Sequence, residues 1–246
     1  MAWYNHKSKK LLANQSVRQG VALVTDYDPT GRVSEEYRTL RTNISFSKAG
    51  GAIKSIAVTS DAPAEGKSTV SANLAVTFAA QGLKTILVDL DMRRPTVNAT
   101  FGLQNTSGLV TLLTDESNDL AGLLPLYCKA TNIDDLAVMT SGPTPPNPSE
   151  LLGSDQMIAL LNELRTRYDR IILDTPPLMS VTDAQIVASH ADATILVVPY
   201  GIAQKAAVLD AKVLLQKVNA NIIGVVMNRV PQPTGSGYYY YAGYYK

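Results

Sequence analysis

The junction near residue 60 constrains this chain more than any other stretch. Ser55–Thr59 (SIAVT) is short, apolar and β-branched. TSDAPAEGKST follows at residues 59 to 69, and from Lys67 to about Gln81 the residues suit a helix, which Gly82 stops. A strand feeding a Gly-Lys-Ser turn that opens a helix is the context a phosphate-binding loop requires. Backbone N–H groups at such a helix start face the anion, and the helix dipole favours its charge. Lys67 is placed to reach β/γ-phosphates and the Ser68 hydroxyl to ligate Mg²⁺. In the spacing G-x-x-x-x-G-K-[ST] the first glycine falls on Asp61, so the pattern holds at Gly66, Lys67 and Ser68 and departs there.

The rest of the chain repeats strand–helix alternation. Lys84–Asp89, Leu136–Thr140, Arg170–Asp174, Ala193–Val198 and Ile222–Met227 are nearly continuous in apolar residues, as expected of parallel strands covered on both faces. Asp155–Arg167 and Gln204–Val218 read as amphipathic helices. The expected fold is α/β, a doubly wound, mostly parallel sheet, with ligands at the carboxyl ends of the strands. The unusual residues fall there. Asp89 and Asp91 stand two apart in ILVDLDMRRP, and Asp174 closes the strand of IILDTPP. Each alone could simply start a turn. Three carboxylates at strand ends beside a phosphate loop repel one another unless a cation such as Mg²⁺ neutralises them.

The 246 residues suit one large or two small domains. A net charge of +1 gives no global field toward nucleic acid, and the single cysteine, Cys128, excludes an internal disulfide framework. No apolar run reaches 18 residues, and the N-terminus lacks the apolar core of a signal peptide. The expected division is an extension over 1–33, a catalytic domain over 34–230 and a tail over 231–246. The tyrosines of the tail, Tyr238, Tyr239, Tyr240, Tyr241, Tyr244 and Tyr245, follow the breaker-rich VPQPTGSG. The tail is either an inert aromatic end or, beside an ATP–Mg site, a substrate. A tyrosine hydroxyl, with its pKa near 10, needs a proton acceptor, for which Asp89 and Asp91 are both candidates. Upstream, Ser34 is the expected N-cap of a helix on which Glu35, Arg38 and Arg41 form one stripe, readable as a solvated face with an i,i+3 ion pair.

Together these motifs resemble the bacterial tyrosine kinases of capsule and exopolysaccharide synthesis, over nearly the whole chain. The phosphate loop matches at Ala64–Thr69 (Ala64, Glu65, Gly66, Lys67, Ser68, Thr69), the Walker A′ motif at Ile86–Arg93 and the Walker B motif at Ile171–Pro177. The E-x-x-R-x-x-R helix matches at Glu35, Arg38 and Arg41. The resemblance implies a P-loop fold of the deviant Walker type related to partitioning ATPases. It implies ATP and Mg²⁺ as cofactors, with Lys67, Asp89, Asp91 and Asp174 catalytic and Ser68, Asp91 and Asp174 on the metal. It suggests Asn228 at the adenine edge, against the plain reading of a strand-ending asparagine. It implies a homo-oligomeric ring through Glu35, Arg38 and Arg41, and phosphorylation of the tyrosine tail between subunits. The expected partners are a transmembrane activator and a tyrosine phosphatase, with a location at the inner face of the cell membrane. Two other functions share parts of this pattern. A partitioning-type switch ATPase commonly carries a second lysine where this chain has Ala62, and an idle nucleotide-binding scaffold would have little use for the retained lysine and aspartates.

Overall fold

A computed structural model describes residues 17–47, 53–117 and 119–231. Before the sheet, and after a helical stretch at 17–19, come the helices α1 (Val24–Tyr27) and α2 (Arg32–Phe46). Strand β1 (Ser55–Ser60) leads through the phosphate loop into α3 (Lys67–Ala79), then β2 (Thr85–Asp89). Four short helices follow with two strands among them: α4 (Val97–Thr100), α5 (Leu109–Leu113), α6 (Leu120–Tyr127), β3 (Lys129–Ala130), β4 (Leu136–Met139) and α7 (Pro148–Leu152). The chain then alternates regularly through α8 (Asp155–Arg167), β5 (Arg170–Asp174), α9 (Asp183–His190), β6 (Ala193–Pro199), α10 (Lys205–Lys217) and β7 (Ile222–Asn228).

The seven strands run in the order β3-β4-β2-β5-β1-β6-β7. Every pairing is parallel except the two-residue β3–β4 edge. This is the expected doubly wound α/β sheet. Alternation along each strand divides the core. Ile56, Val58, Leu87 and Ile172 face α3 and α2. Ala57, Ile86, Val88, Ile171 and Leu173 face the layer that contains α8, and Leu196 faces α9 and α10. Helix α3 lies between sheet and α2, with every residue but Thr69 buried. Small residues suit that enclosure, since Ala, Ser and Thr let the backbones approach closely on all sides.

Helix α2 begins one turn earlier than its sequence suggests. Gly31 is its N-cap, so Ser34 sits within the first turn, buried, and its hydroxyl donates to Asp28 O (2.7 Å) rather than capping. The residues before it belong to the packed body: Thr25 N donates to Asn73 Oδ1 (3.0 Å) and Asn73 Nδ2 to Ala22 O (2.8 Å), which ties the entry of the chain to α3.

Candidate active site

The phosphate loop joins β1 to α3 with two residues in left-handed conformation, Ala64 (φ 61°) and Gly66 (φ 97°). Asp61, at the place of the motif's first glycine, needs no positive φ, which is why the departure is tolerated. Gly66 is demanded twice, because a Cβ there would also lie 2.0 Å from Asn228 Nδ2. The Glu65 carboxylate turns back into the loop and accepts from Ala62 N (3.1 Å). Two residues ending β7 hold the loop from outside: Asn228 Nδ2 donates to Glu65 O (3.0 Å) and Arg229 Nη2 to Ala64 O.

A cavity of about 260 Å³ opens over this loop. Lys67, Ser68, Asp91, Arg93, Pro177 and Val181 line it, with Val17 and Val21 from the N-terminal segment. Lys67 Nζ lies 3.2 Å from Asp91 Oδ2. Burial works against the ammonium, yet Asp91, Asp174 and Asp89 together hold its pKa above the ordinary lysine value. Lys67 therefore stays a full positive charge beside the cavity.

The three aspartates have separate surroundings. Asp89 is wholly buried; its carboxylate accepts from the N–H groups of Asp91, Thr96 and Val97, each at 3.1 Å, and so shapes the turn after β2. Burial, then Asp174 and Asp91, push its pKa well above the usual carboxylate range. Asp174, its register partner on β5, is likewise raised by burial, against the pull of Lys67, Ser68 and Ser71. Asp174 Oδ1 accepts from Ser71 Oγ (3.0 Å), while Oδ2 is buried without a hydrogen-bond partner among the described residues. Asp91 accepts from Arg94 N (3.0 Å) and is the aspartate of the three that lines the cavity.

Among the described residues no three acidic, histidine or cysteine side chains form a metal cage unaided. Asp89 is spent on its turn, which leaves Ser68, Asp91 and the orphaned Asp174 oxygen. A hydroxyl and two carboxylates suit Mg²⁺, which keeps several waters and completes its shell with nucleotide phosphates. Burial chiefly raises the pKa values of Asp89 and Asp174, and a cation would offset both that cost and the repulsion of Asp89 by Asp174 and Asp91.

The remaining expected residues are dispersed. Glu35 and Arg38 pair on the exposed side of α2, where Arg38 also donates to Pro29 O. Arg41 instead turns inward and donates to Thr77 O (2.9 Å) at the end of α3. The amide of Asn228 is engaged with the loop and, through Oδ1, with Arg229 N (2.8 Å). The tail tyrosines lie outside the described residues. Asp183, at the start of α9, was not expected in the site; it holds Arg93 through its carboxylate (Nε 2.9 Å) across 90 positions of sequence.

Fold and cavity define a nucleotide-binding P-loop protein of the class with Walker A′ aspartates. The family model described as an AAA domain matches residues 53–222. The chain is 43% identical over 215 residues to the putative tyrosine-protein kinase CapB of Staphylococcus aureus, covering 87% of this chain and 92% of that one. It is 42% identical over 231 residues to the tyrosine-protein kinase YwqD of Bacillus subtilis, covering 94% and 95%. Among solved structures it is similar to the chimerical protein CapA2B2, with TM-score 0.80 and 38% identity over 89% of this chain and 99% of that one. The cell division ATPase MinD of Pyrococcus furiosus shares the fold, at TM-score 0.61 and 23% identity over 73% of each chain. The chain belongs to the bacterial protein-tyrosine kinases of the capsule-synthesis type.

Proposed function

We propose that this kinase transfers the γ-phosphoryl group of ATP to the tyrosines at 238–241 and 244–245, between subunits, and thereby regulates capsular or exopolysaccharide synthesis and export. The observation that carries the reading is the buried Lys67–Asp91 pair at the rim of a phosphate loop, in a chain whose relatives are tyrosine kinases. The loop's backbone from Ala64 to Thr69 binds phosphates, and Lys67 offsets charge on the group in flight. Ser68, Asp91 and Asp174 would hold Mg²⁺, which supplies further charge neutralisation at the phosphates. Asp91, facing the cavity, accepts the phenolic proton as the tyrosine oxygen attacks. Asp89, saturated by backbone N–H groups, acts by shaping the Asp91 turn and by its charge. The tail, 231–246, could span at most roughly 50 Å, enough to enter a neighbour's site in a compact ring. Glu35 and Arg38 on the open side of α2 form the core of the ring contact, with Arg41 bracing α2 against α3.

Among the described residues no helix is long and apolar enough to cross a membrane. A membrane partner is suggested by the relatives instead. The Wzc kinase of Salmonella typhimurium matches at 32% identity over 30% of its own length, so a homologous kinase forms one part of a longer chain. We place this protein at the inner face of the membrane through such a partner, with a tyrosine phosphatase resetting the tail.

Incubation with ATP–Mg followed by mass spectrometry of the tail, with and without a cytoplasmic segment of a membrane partner, tests the reading. Phosphotyrosine should appear in wild type, rise with the partner segment and be missing from Lys67→Met. An unmodified tail under every condition would overturn it.

A further inference from the structure

Asp183 is a wholly buried carboxylate that Lys67 and the phosphate loop do not use. It begins α9, where the helix dipole favours its charge. Arg93 grips it side-on, through Nε at 2.9 Å and Nη2 at 3.3 Å. Ser149 Oγ, from α7, donates to its Oδ1 at 2.5 Å, and Thr182 Oγ1 lies 3.4 Å from that hydroxyl. The turn after β2 is thus held by residues that follow β4 and β5. Burying a carboxylate costs desolvation that an apolar residue would avoid, so such a pair is poor evidence for stability and better evidence for fixed orientation. Here the thing oriented is the guanidinium. Its side chain is 41% exposed and lines the cavity beside Lys67, Ser68 and Asp91. A guanidinium gripped along its Nε–Nη2 edge keeps its other edge, Nη1 with the second Nη2 hydrogen, turned away from Asp183.

We infer that Asp183 and Ser149 are positioning residues that aim the Arg93 guanidinium at the phosphoryl group in transfer. This rests on the proposed assignment of the cavity as the transfer site. Arg93 then supplies a second cation at the cavity beside Lys67, preorganised before charge develops on the equatorial oxygens. The phenolic oxygen bonds to phosphorus, the bond to the ADP oxygen breaks, the phenolic proton passes to Asp91, and Arg93 holds the moving group by hydrogen bonds alone.

The test compares wild type, Ser149→Ala, Asp183→Asn, the double variant Arg93→Met/Asp183→Leu, and Lys67→Met. For each, kcat and KM on a tyrosine-rich peptide, ADP affinity and Tm are measured. The double variant removes both charges at once and leaves no buried carboxylate unpaired, so it remains informative even where Asp183→Asn fails to fold. It should keep ADP affinity within about two-fold while kcat falls about 10²-fold, the loss typical of one preorganised donor. Ser149→Ala should lower kcat by a smaller factor, with only the modest fall in Tm expected for one lost hydrogen bond to a buried carboxylate. A double variant that turns over like wild type overturns the inference. So does a fall in kcat matched by an equal loss of ADP affinity, which would mark a purely structural pair. Lys67→Met separates the two readings. If it stays active, the site assignment itself fails; if it is dead while the Arg93 and Asp183 variants work normally, only the positioning role fails.

Discussion

Asn228→Ala distinguishes two roles for the residue that ends β7. As a base reader, Asn228 would discriminate adenine from guanine. As a clamp, it holds the phosphate loop through Glu65 O and supports the left-handed Arg229 (φ 59°) through its own Oδ1. The variant removes two hydrogen bonds worth about 1 kcal/mol each, less where water substitutes at exposed Arg229, so a destabilisation of about 1–2 kcal/mol is expected. Urea denaturation reads this as a lower midpoint at unchanged slope. A loosened loop should weaken ATP and GTP alike, by about 5–10-fold if ~1 kcal/mol of preorganisation is lost. The contact with Gly66 supplies an internal check. Gly66→Ala costs about 1–2 kcal/mol for its left-handed φ alone. In wild type it must also displace the Asn228 amide, 2.0 Å from the new Cβ. In the Asn228→Ala background that second cost vanishes, giving a coupling of about 1 kcal/mol between the two sites. Calorimetric titration that shows ATP weakened tenfold with GTP untouched, or a double variant that is strictly additive, would refute the clamp.

Three further outcomes follow from the charges. The raised pKa of Asp174 means that a proton competes with Mg²⁺ for its carboxylate, so Mg²⁺ affinity should rise with pH above the usual carboxylate range; a pH-independent affinity would contradict this. For Asp192, burial raises the pKa, but N–H groups of Ser55 and Lys54 together with Arg165 bring it below the ordinary value. Its stabilisation is therefore present above the unfolded pKa and lost as pH falls through the folded one, and Asp192→Ala should cost about 1–3 kcal/mol at pH 7 with a weaker acid dependence below pH 4 in urea titrations. Arg38→Ala/Arg41→Ala should be monomeric by light scattering and slow in tail phosphorylation, with part of its stability loss traceable to the lost Arg41–Thr77 bond; a variant that stays oligomeric removes α2 from the contact.

Continuity of apolar residues made the central sheet legible. β5 and α8 fall where the sequence places them, since an unbroken apolar run and a Ser154 cap that accepts from Met157 N leave little choice. Short elements carried no such signal: α6 contains Pro125, and α9 has only eight residues. In the site, residues contiguous with a strand end were legible, namely Lys67, Ser68, Asp89, Asp91 and Asp174. What escaped depends on strands brought together from far apart. The engagement of Asn228 with the phosphate loop follows from β6 lying between β1 and β7, and the Arg93–Asp183 grip from the neighbouring ends of β2 and β5. The separation of Asp89 from Asp91 arises from which carboxylate finds backbone N–H groups to accept, which spacing does not encode.

The position of β1 in the interior of the sheet, between β5 and β6, also governs how the protein comes into being. Its two neighbours are β5 and β6, whose residues begin more than a hundred positions later. During synthesis, at about 5–20 residues per second, the segment bearing Lys67 must wait many seconds before any strand that can flank it has left the ribosome. Throughout that interval α2 can cover one face of α3, but β1 lacks both strands that later flank it. Such long-range parallel pairing folds slowly and leaves sticky intermediates. Expression at lowered temperature or with a holdase should therefore raise the soluble yield of this kinase, and truncation before residue 199 should yield aggregates rather than a smaller nucleotide-binding domain.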